Sequence, residues 1–133
     1  MKSTLEGDMY DFLKNHGIIA EYEPESFVLW TGGPTKTPFY NANKGHLRCF
    51  KADLEDITYT PDFRFNYMGI TVYVETKGRE DGKFPMRKKL FRRYLDEKVP
   101  NSMYFEIHSI MQMKDMMEIL EFGKIVSKEK KKK

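Results

Sequence analysis

Cysteine is nearly absent: Cys49 is the single thiol among 133 residues. No internal disulfide can form, and the chain reads as one suited to a reducing compartment. The same scarcity excludes a cysteine-rich zinc site, because structural zinc takes four ligands and His46 has one thiol within metal-like spacing; packing is the expected role of both. No stretch approaches the roughly 18 consecutive apolar residues of a membrane span, and Met1 to Thr4 leads into a polar helix rather than an apolar signal segment. A cytoplasmic protein without a membrane partner is the expectation. No internal repeat is visible, which argues against a solenoid.

What is present suits one compact domain. Hydrophobic residues make up 40% and aromatics 14% of the chain, enough for a core at this length. Residues 1–126 read as a single domain, and residues 127–133, SKEKKKK, as a disordered tail with no apolar residue to fold around. That tail either adds nonspecific DNA affinity or merely solubilises the end. The net charge of +3 is unevenly spread: residues 1–66 hold seven Lys/Arg and ten Asp/Glu, residues 67–133 sixteen and ten. Acids thus gather before the cations, an arrangement that suits metal ligands followed by phosphate contacts.

Periodicity and punctuation outline an α/β chain with a mixed central sheet flanked by helices. Ser3 or Thr4 opens a helix with Leu5, Met9, Phe12 and Leu13 at helical spacing, ending between Asn15 and Gly17. Short strands are expected at Ile18–Glu23 and Phe27–Trp30, and a turn-rich loop at Thr31–Pro38. Trp30, Phe39 and Tyr40 flank that loop and are expected to anchor it in the core, base stacking being the alternative. Asn41–Gly45 reads as a turn and His46–Ala52 as a strand. Ile57–Phe65 and Ile70–Thr76 read as a hairpin closed by Asn66–Gly69. A charged loop, Arg79–Lys83, precedes a helix from Pro85 to about Lys98. On that helix Met86, Leu90, Phe91 and Tyr94 are expected to face the sheet. A strand at Met103–His108 and a helix at Lys114–Phe122, burying Met116, Met117 and Leu120 and stopping at Gly123, complete the chain.

The chemistry concentrates in the hairpin. Side chains alternate between the faces of a strand, so Tyr73, Glu75 and Lys77 share one face while Val72, Val74 and Thr76 take the other, the apolar core side. Asp62 arrives from the preceding strand just after Pro61 interrupts its pairing. Phosphodiester hydrolysis needs charge neutralised on the phosphate, a water activated and a leaving oxygen stabilised, and a carboxylate-held divalent metal serves all three. Magnesium takes hard oxygen ligands, one or two of them carboxylates. Asp62 and Glu75 supply these, with the backbone carbonyl of Thr76 as a further ligand. Lys77 either orients or deprotonates the attacking water, or holds the phosphate as a point charge.

Pro61-Asp62, twelve intervening residues and then Glu75-Thr76-Lys77 resemble the PD-(D/E)xK nuclease superfamily. TYTPDF followed by VETKG is more similar still to the phage-type endonuclease I family, resolvases of four-way DNA junctions. Leu5–Glu25 resembles that family's first helix and strand, and Arg87–Ser109 its basic helix and following strand. The resemblance implies a restriction-endonuclease-like core, Mg2+ as cofactor with Mn2+ as substitute, and branched DNA as partner. It also implies a homodimer making paired cuts. Carried over residue by residue, it adds Glu6 to the metal site and Glu21 as a further acid. Beside such a centre the cations of the loop and basic helix, Arg79, Lys83, Arg87, Lys88, Lys89, Arg92 and Arg93, are the expected DNA-contacting set, which of them touches DNA being open. Two departures stand out: only four residues precede Leu5, where the family has an arm that intertwines its dimer, and residues 29–56 exceed the family's equivalent connection.

Blander roles exist for several of these residues. Ser3 and Glu6 fit a capping box, which explains Glu6 without a metal. Glu21 shares its strand alternation with Glu23 and Glu25 as an exposed acid, and the basic helix is also a sound solvated face. Activities of other kinds that fit the same residues are a nicking, flap or end-processing nuclease, and a noncatalytic DNA-binding module.

Overall fold

The computed structural model describes residues 3–50, 53–77 and 82–123; Arg79 and the lysine-rich tail expected at 127–133 lie outside them. In chain order the elements are α1 (Thr4–Asn15), β1 (Glu21–Tyr22), β2 (Phe27–Trp30), β3 (Phe39–Asn43), β4 (His46–Phe50) and β5 (Ile57–Tyr59). They continue with β6 (Phe63–Tyr67), β7 (Ile70–Thr76), α2 (Phe84–Lys98), β8 (Ser102–Ile107) and α3 (Ile110–Phe122). The architecture is mixed α/β, with three helices among the described residues. None of them is long and apolar enough to cross a membrane.

The central sheet runs β1-β6-β7-β8, with β1, β6 and β7 antiparallel in turn and β8 parallel to β7. The β6–β7 turn is the two residues Met68 and Gly69, both at positive φ, the backbone that matches the twist of a tight hairpin. The parallel neighbour β8 is reached through α2, since parallel strands need a long crossover.

Alternation along β7 sends residues into two cores. Val72 and Val74, with Phe63 and Phe65 of β6, pack under α1 and α3 against Met9, Leu13, Met113 and Met116. Tyr73 points the other way, into an aromatic cluster of Phe27, Tyr59, Phe84 and Phe91 beneath α2 and the β2–β5 pair. Both faces of β7 are therefore covered, where the alternation alone had marked the Val72–Val74 side as the core.

Three expectations change in the folded chain. Ile57–Phe65 is not one strand: β5 pairs with β2 and β6 with β7, and the buried Pro61 separates them because it has no N–H to continue a ladder. On α2 the buried seam is Phe84, Phe91 and Leu95, while Met86 is exposed and Leu90 and Tyr94 are half-buried. The aromatic cluster selects that stripe, and the half-buried Arg87 and Lys88 fill the turn between. Finally, α3 starts a turn earlier than Lys114, at a Ser109 N-cap whose hydroxyl accepts from the Gln112 N–H.

The loop region departs most. Residues 39–50 form a hairpin, β3–β4, where a turn and one strand were expected, and its residues are largely exposed. Trp30, Phe39 and Tyr40 are 43%, 60% and 59% exposed rather than anchored in the core. His46 and Cys49 are exposed as well.

Candidate active site

The C-terminal end of β7 meets the β5–β6 break, and four polar residues are buried around the meeting point: Glu6, Asp62, Glu75 and Thr76. Asp62 follows the buried Pro61 and is fixed by β7 itself. The peptide N–H and the hydroxyl of Thr76 both donate to Asp62 Oδ2 at 2.8 Å. Thr76 therefore touches the site through its N–H and side chain, which alternation had sent away from Glu75 and toward the α1 side, where Asp62 meets it.

Glu75 is held from the opposite face. The Tyr59 hydroxyl donates to Glu75 Oε1 at 2.5 Å and lies 2.8 Å from the Tyr104 hydroxyl, a chain that consumes polar groups otherwise stranded among aromatic rings. Tyr59 was not singled out from the sequence. The available signal was its place within ITYTPDF, three residues before Asp62, but its strand had been assigned to the wrong sheet.

The two carboxyls hold protons more tightly than usual. Burial, only partly offset by the Thr76 donors, pushes Asp62 up to about 6, and neighbouring Glu6 pushes in the same direction. Burial pushes Glu75 up to about 7, Asp62 adds to the rise, and Tyr59 and Lys77 oppose it. Burial also drives the Tyr59 and Tyr104 hydroxyls far above the tyrosine range, so both stay neutral donors.

Glu6 forms the expected cap and also lies beside Asp62. The capping box forms, with Ser3 Oγ accepting from the Glu6 N–H at 3.1 Å and Glu6 Oε1 accepting from the Ser3 N–H at 3.2 Å. Tyr22 donates to the same oxygen at 3.1 Å, and the carboxylate lies close enough to Asp62 to bear on its proton. Glu21 has a different partner: Arg64 donates to both its oxygens, at 2.9 and 3.3 Å, and to Glu25 at 2.6 Å. This pairing lowers the Glu21 pKa from the ordinary carboxylate value.

Lys77 lies just beyond β7, its Nζ 4.5 Å from the centre of the Phe84 ring. With Tyr59, Glu75, Lys83, Phe84 and Arg87 it lines an open cleft of about 300 Å3. Two of the expected phosphate contacts, Lys83 and Arg87, thus line the same cleft as Glu75. Arg87 is also structural, its Nε donating to the Thr58 carbonyl at 2.6 Å. Lys88 is drawn elsewhere, into a 2.8 Å ion pair with Glu106, which also meets His108 at 2.7 Å. Burial raises the Glu106 pKa, but those two partners outweigh it and hold the group low. Lys89, Arg92 and Arg93 line a separate groove on the outer face of α2 with Asp96. At about 1.5 Å rise per residue, Arg93 is roughly 14 Å along the axis from Phe84.

Among the described residues no group of three or more His, Cys, Asp or Glu side chains is arranged to hold a metal ion by itself. His46 and Cys49, three apart on β4, fall on opposite faces of that strand. The donor chemistry at β7 is two buried carboxylates in a short hydrogen-bonded frame, both with proton affinities raised by burial. That donor set fits a magnesium ion, which takes one or two carboxylates and completes its shell with water and phosphate oxygens. Comparison of the chain with protein-family models, with curated proteins and with solved structures returned no match.

Proposed function

We propose that this chain is a Mg2+-dependent DNA endonuclease with a restriction-endonuclease-like PD-(D/E)xK core, acting on branched DNA as a four-way junction resolvase. The observation that carries the reading is the cleft where buried Glu75, next to Asp62, shares a wall with Lys77, Lys83 and Arg87. Among the described residues these two buried carboxyls accept from Thr76 and Tyr59 and from no lysine or arginine, an arrangement costly to retain for stability alone, and cations at the same opening suit a phosphate.

Asp62, pinned by Thr76, and Glu75, pinned by Tyr59, would hold Mg2+, with the Thr76 carbonyl and Glu6 on the Asp62 side as further donors. Mn2+ would substitute. When bound, the ion supplies Lewis acidity at the phosphate and lowers the pKa of its water. Lys77 sits at the cleft beside Glu75, where an ammonium either orients the attacking water or neutralises the phosphate. Lys83 and Arg87 hold the flanking phosphates, and Lys89, Arg92 and Arg93 extend the positive track along α2. Arg79, in the Glu75–α2 connection, belongs to the same basic set by sequence. Paired cuts across a junction call for a homodimer. A nicking or flap-processing nuclease would use the same centre on a different substrate, and the intact Asp62, Glu75 and Lys77 set speaks against a noncatalytic DNA-binding module.

The test is incubation with Mg2+ and labelled four-way junction, flap, linear duplex and single strand, beside Glu75→Gln and Lys77→Ala. Cleavage that both variants lose is expected, with Ca2+ supporting binding but not cutting. Cleavage of no substrate, or cleavage indifferent to both changes, overturns the catalytic reading. A preference for flaps or nicked duplex removes only the resolvase assignment.

A further inference from the structure

Residues 26–52 contain no aspartate or glutamate, in a chain with 20 acids among 133 residues; Lys36, Lys44, Arg48 and Lys51 lie there instead. Folded, residues 27–50 form an arm. Its root is the β2–β5 pair, it is bridged once more at Gly33 and Leu54, and it continues outward as β3–β4, a two-stranded sheet of its own. A lone hairpin is marginally stable in water, and this one carries Phe39, Tyr40 and Leu47 at 60%, 59% and 73% exposure.

Residues opposite one another in an antiparallel pair share a face. One face of the arm therefore carries Phe39 with Phe50, Asn41 with Arg48, and Asn43 with His46; the other carries Tyr40 with Cys49 and Ala42 with Leu47. The first face is thus a ladder of aromatic, amide and cationic groups. The tip, Lys44–Gly45, turns with both residues at positive φ, so the ribbon ends in two residues with no bulky side chain at Gly45.

We propose that this arm is a β-ribbon that enters the major groove of duplex DNA, presenting Asn41 and Arg48 to base edges and Lys36 and Lys44 to phosphates. The inference rests on the DNA-nuclease reading and adds to it the element that grips the substrate. A major groove about 12 Å wide and 8.5 Å deep admits a two-stranded ribbon, and arginine pairs bidentately with guanine there; the Asn41 Oδ1 accepts from the Ala42 N–H at 2.7 Å, which leaves its amide N–H groups to offer a base acceptor. Five residue pairs at about 3.3 Å rise give an arm of roughly 16 Å. A second copy of the arm is a poorer occupant, since two acid-free basic hairpins repel. The root ties recognition to chemistry: Tyr59 on β5 donates to Glu75, so a ribbon seated in the groove sets where the carboxylates meet the backbone.

The test uses full-length protein carrying Glu75→Gln, titrated into labelled linear DNA duplex and into an RNA duplex of the same sequence. The same measurement is repeated with Lys44→Ala and Arg48→Ala added. The two added changes are expected to weaken DNA binding at least tenfold and, through the lost phosphate contact of Lys44, to reduce the slope of log affinity against log salt by about 0.9. Because both side chains are exposed, the thermal midpoint should not move. RNA should bind more weakly, its major groove being too narrow to read. Unchanged DNA affinity, equal affinity for the RNA duplex, or a solution dimer that Leu47→Asp splits would each overturn the proposal. Metal-dependent cleavage by the unaltered chain is assayed in parallel. Cleavage with arm-independent binding defeats the arm alone, whereas arm-dependent binding without cleavage leaves the arm standing and defeats the nuclease reading.

Discussion

Glu75 is the residue whose state decides most. Its carboxyl titrates at about 7 when folded against a usual 4.5, so below 4.5 both folded and unfolded chains hold the proton and it contributes nothing to pH dependence. As pH rises the unfolded chain ionises first, so the metal-free protein loses stability until about pH 7, by on the order of 3 kcal/mol from this group. Glu75→Gln should therefore melt higher than the unaltered chain in chelator at about pH 7.5 and equally at pH 4.5; equal midpoints at both would contradict the buried carboxyl. Tyr59→Phe removes a donor that holds this pKa down. Under the nuclease reading, the acid limb of its pH–rate profile should move to higher pH, with activity falling roughly tenfold. A profile superimposable on the original would show that the hydroxyl does not act on Glu75. Asp62, Glu75 and Lys77 were legible because the spacing within two short segments was enough to name them. Tyr59 was not, because its contact with Glu75 spans 16 residues and depends on which sheet β5 joins.

Elements were legible in proportion to how locally they are determined. The first helix appears where Ser3, Glu6 and the Met9–Leu13 spacing put it, since caps and periodicity are properties of neighbours in sequence. The face of α2 was not, because Leu90 and Phe91 are equally apolar and only the ring cluster of Phe27, Tyr59 and Tyr73 decides between them. Phe91→Ala should accordingly cost about 3–5 kcal/mol in denaturant unfolding, while Met86→Ala, at an exposed position, should stay within about 0.5 kcal/mol; comparable losses would invert the assigned face. The arm's root has its own constraint. A Cβ on Gly32 would lie 2.0 Å from the Leu54 carbonyl oxygen, a backbone atom that cannot swing aside. Gly32→Ala should force the strands apart and destabilise the protein by about 1–3 kcal/mol, visible as faster amide exchange at Gly33 and Leu54; unchanged exchange there would refute the close approach.

Across the whole molecule, cations divide into those with work inside the fold and those facing outward. If the outer face of α2 lies along a phosphate backbone, alanine at Lys89, Arg92 or Arg93 should each reduce the salt slope of DNA binding by about 0.9 without altering sequence preference. Lys88→Ala should change it less, because Glu106 already neutralises that ammonium; a larger effect at Lys88 would place DNA on the β8 side of the helix. Sequence alone determined the α/β class, the bounds of the first helix and the identity of the acid–acid–lysine set, because alternation, caps and short motifs act over a few residues. Tertiary structure alone decided that Pro61 divides two sheets and that Glu21 pairs with Arg64. It also decided that Thr76 secures Asp62 and that residues 39–50 stand out as an exposed arm, for each of these depends on which distant strand or helix supplies the partner, and nothing in the local pattern encodes it.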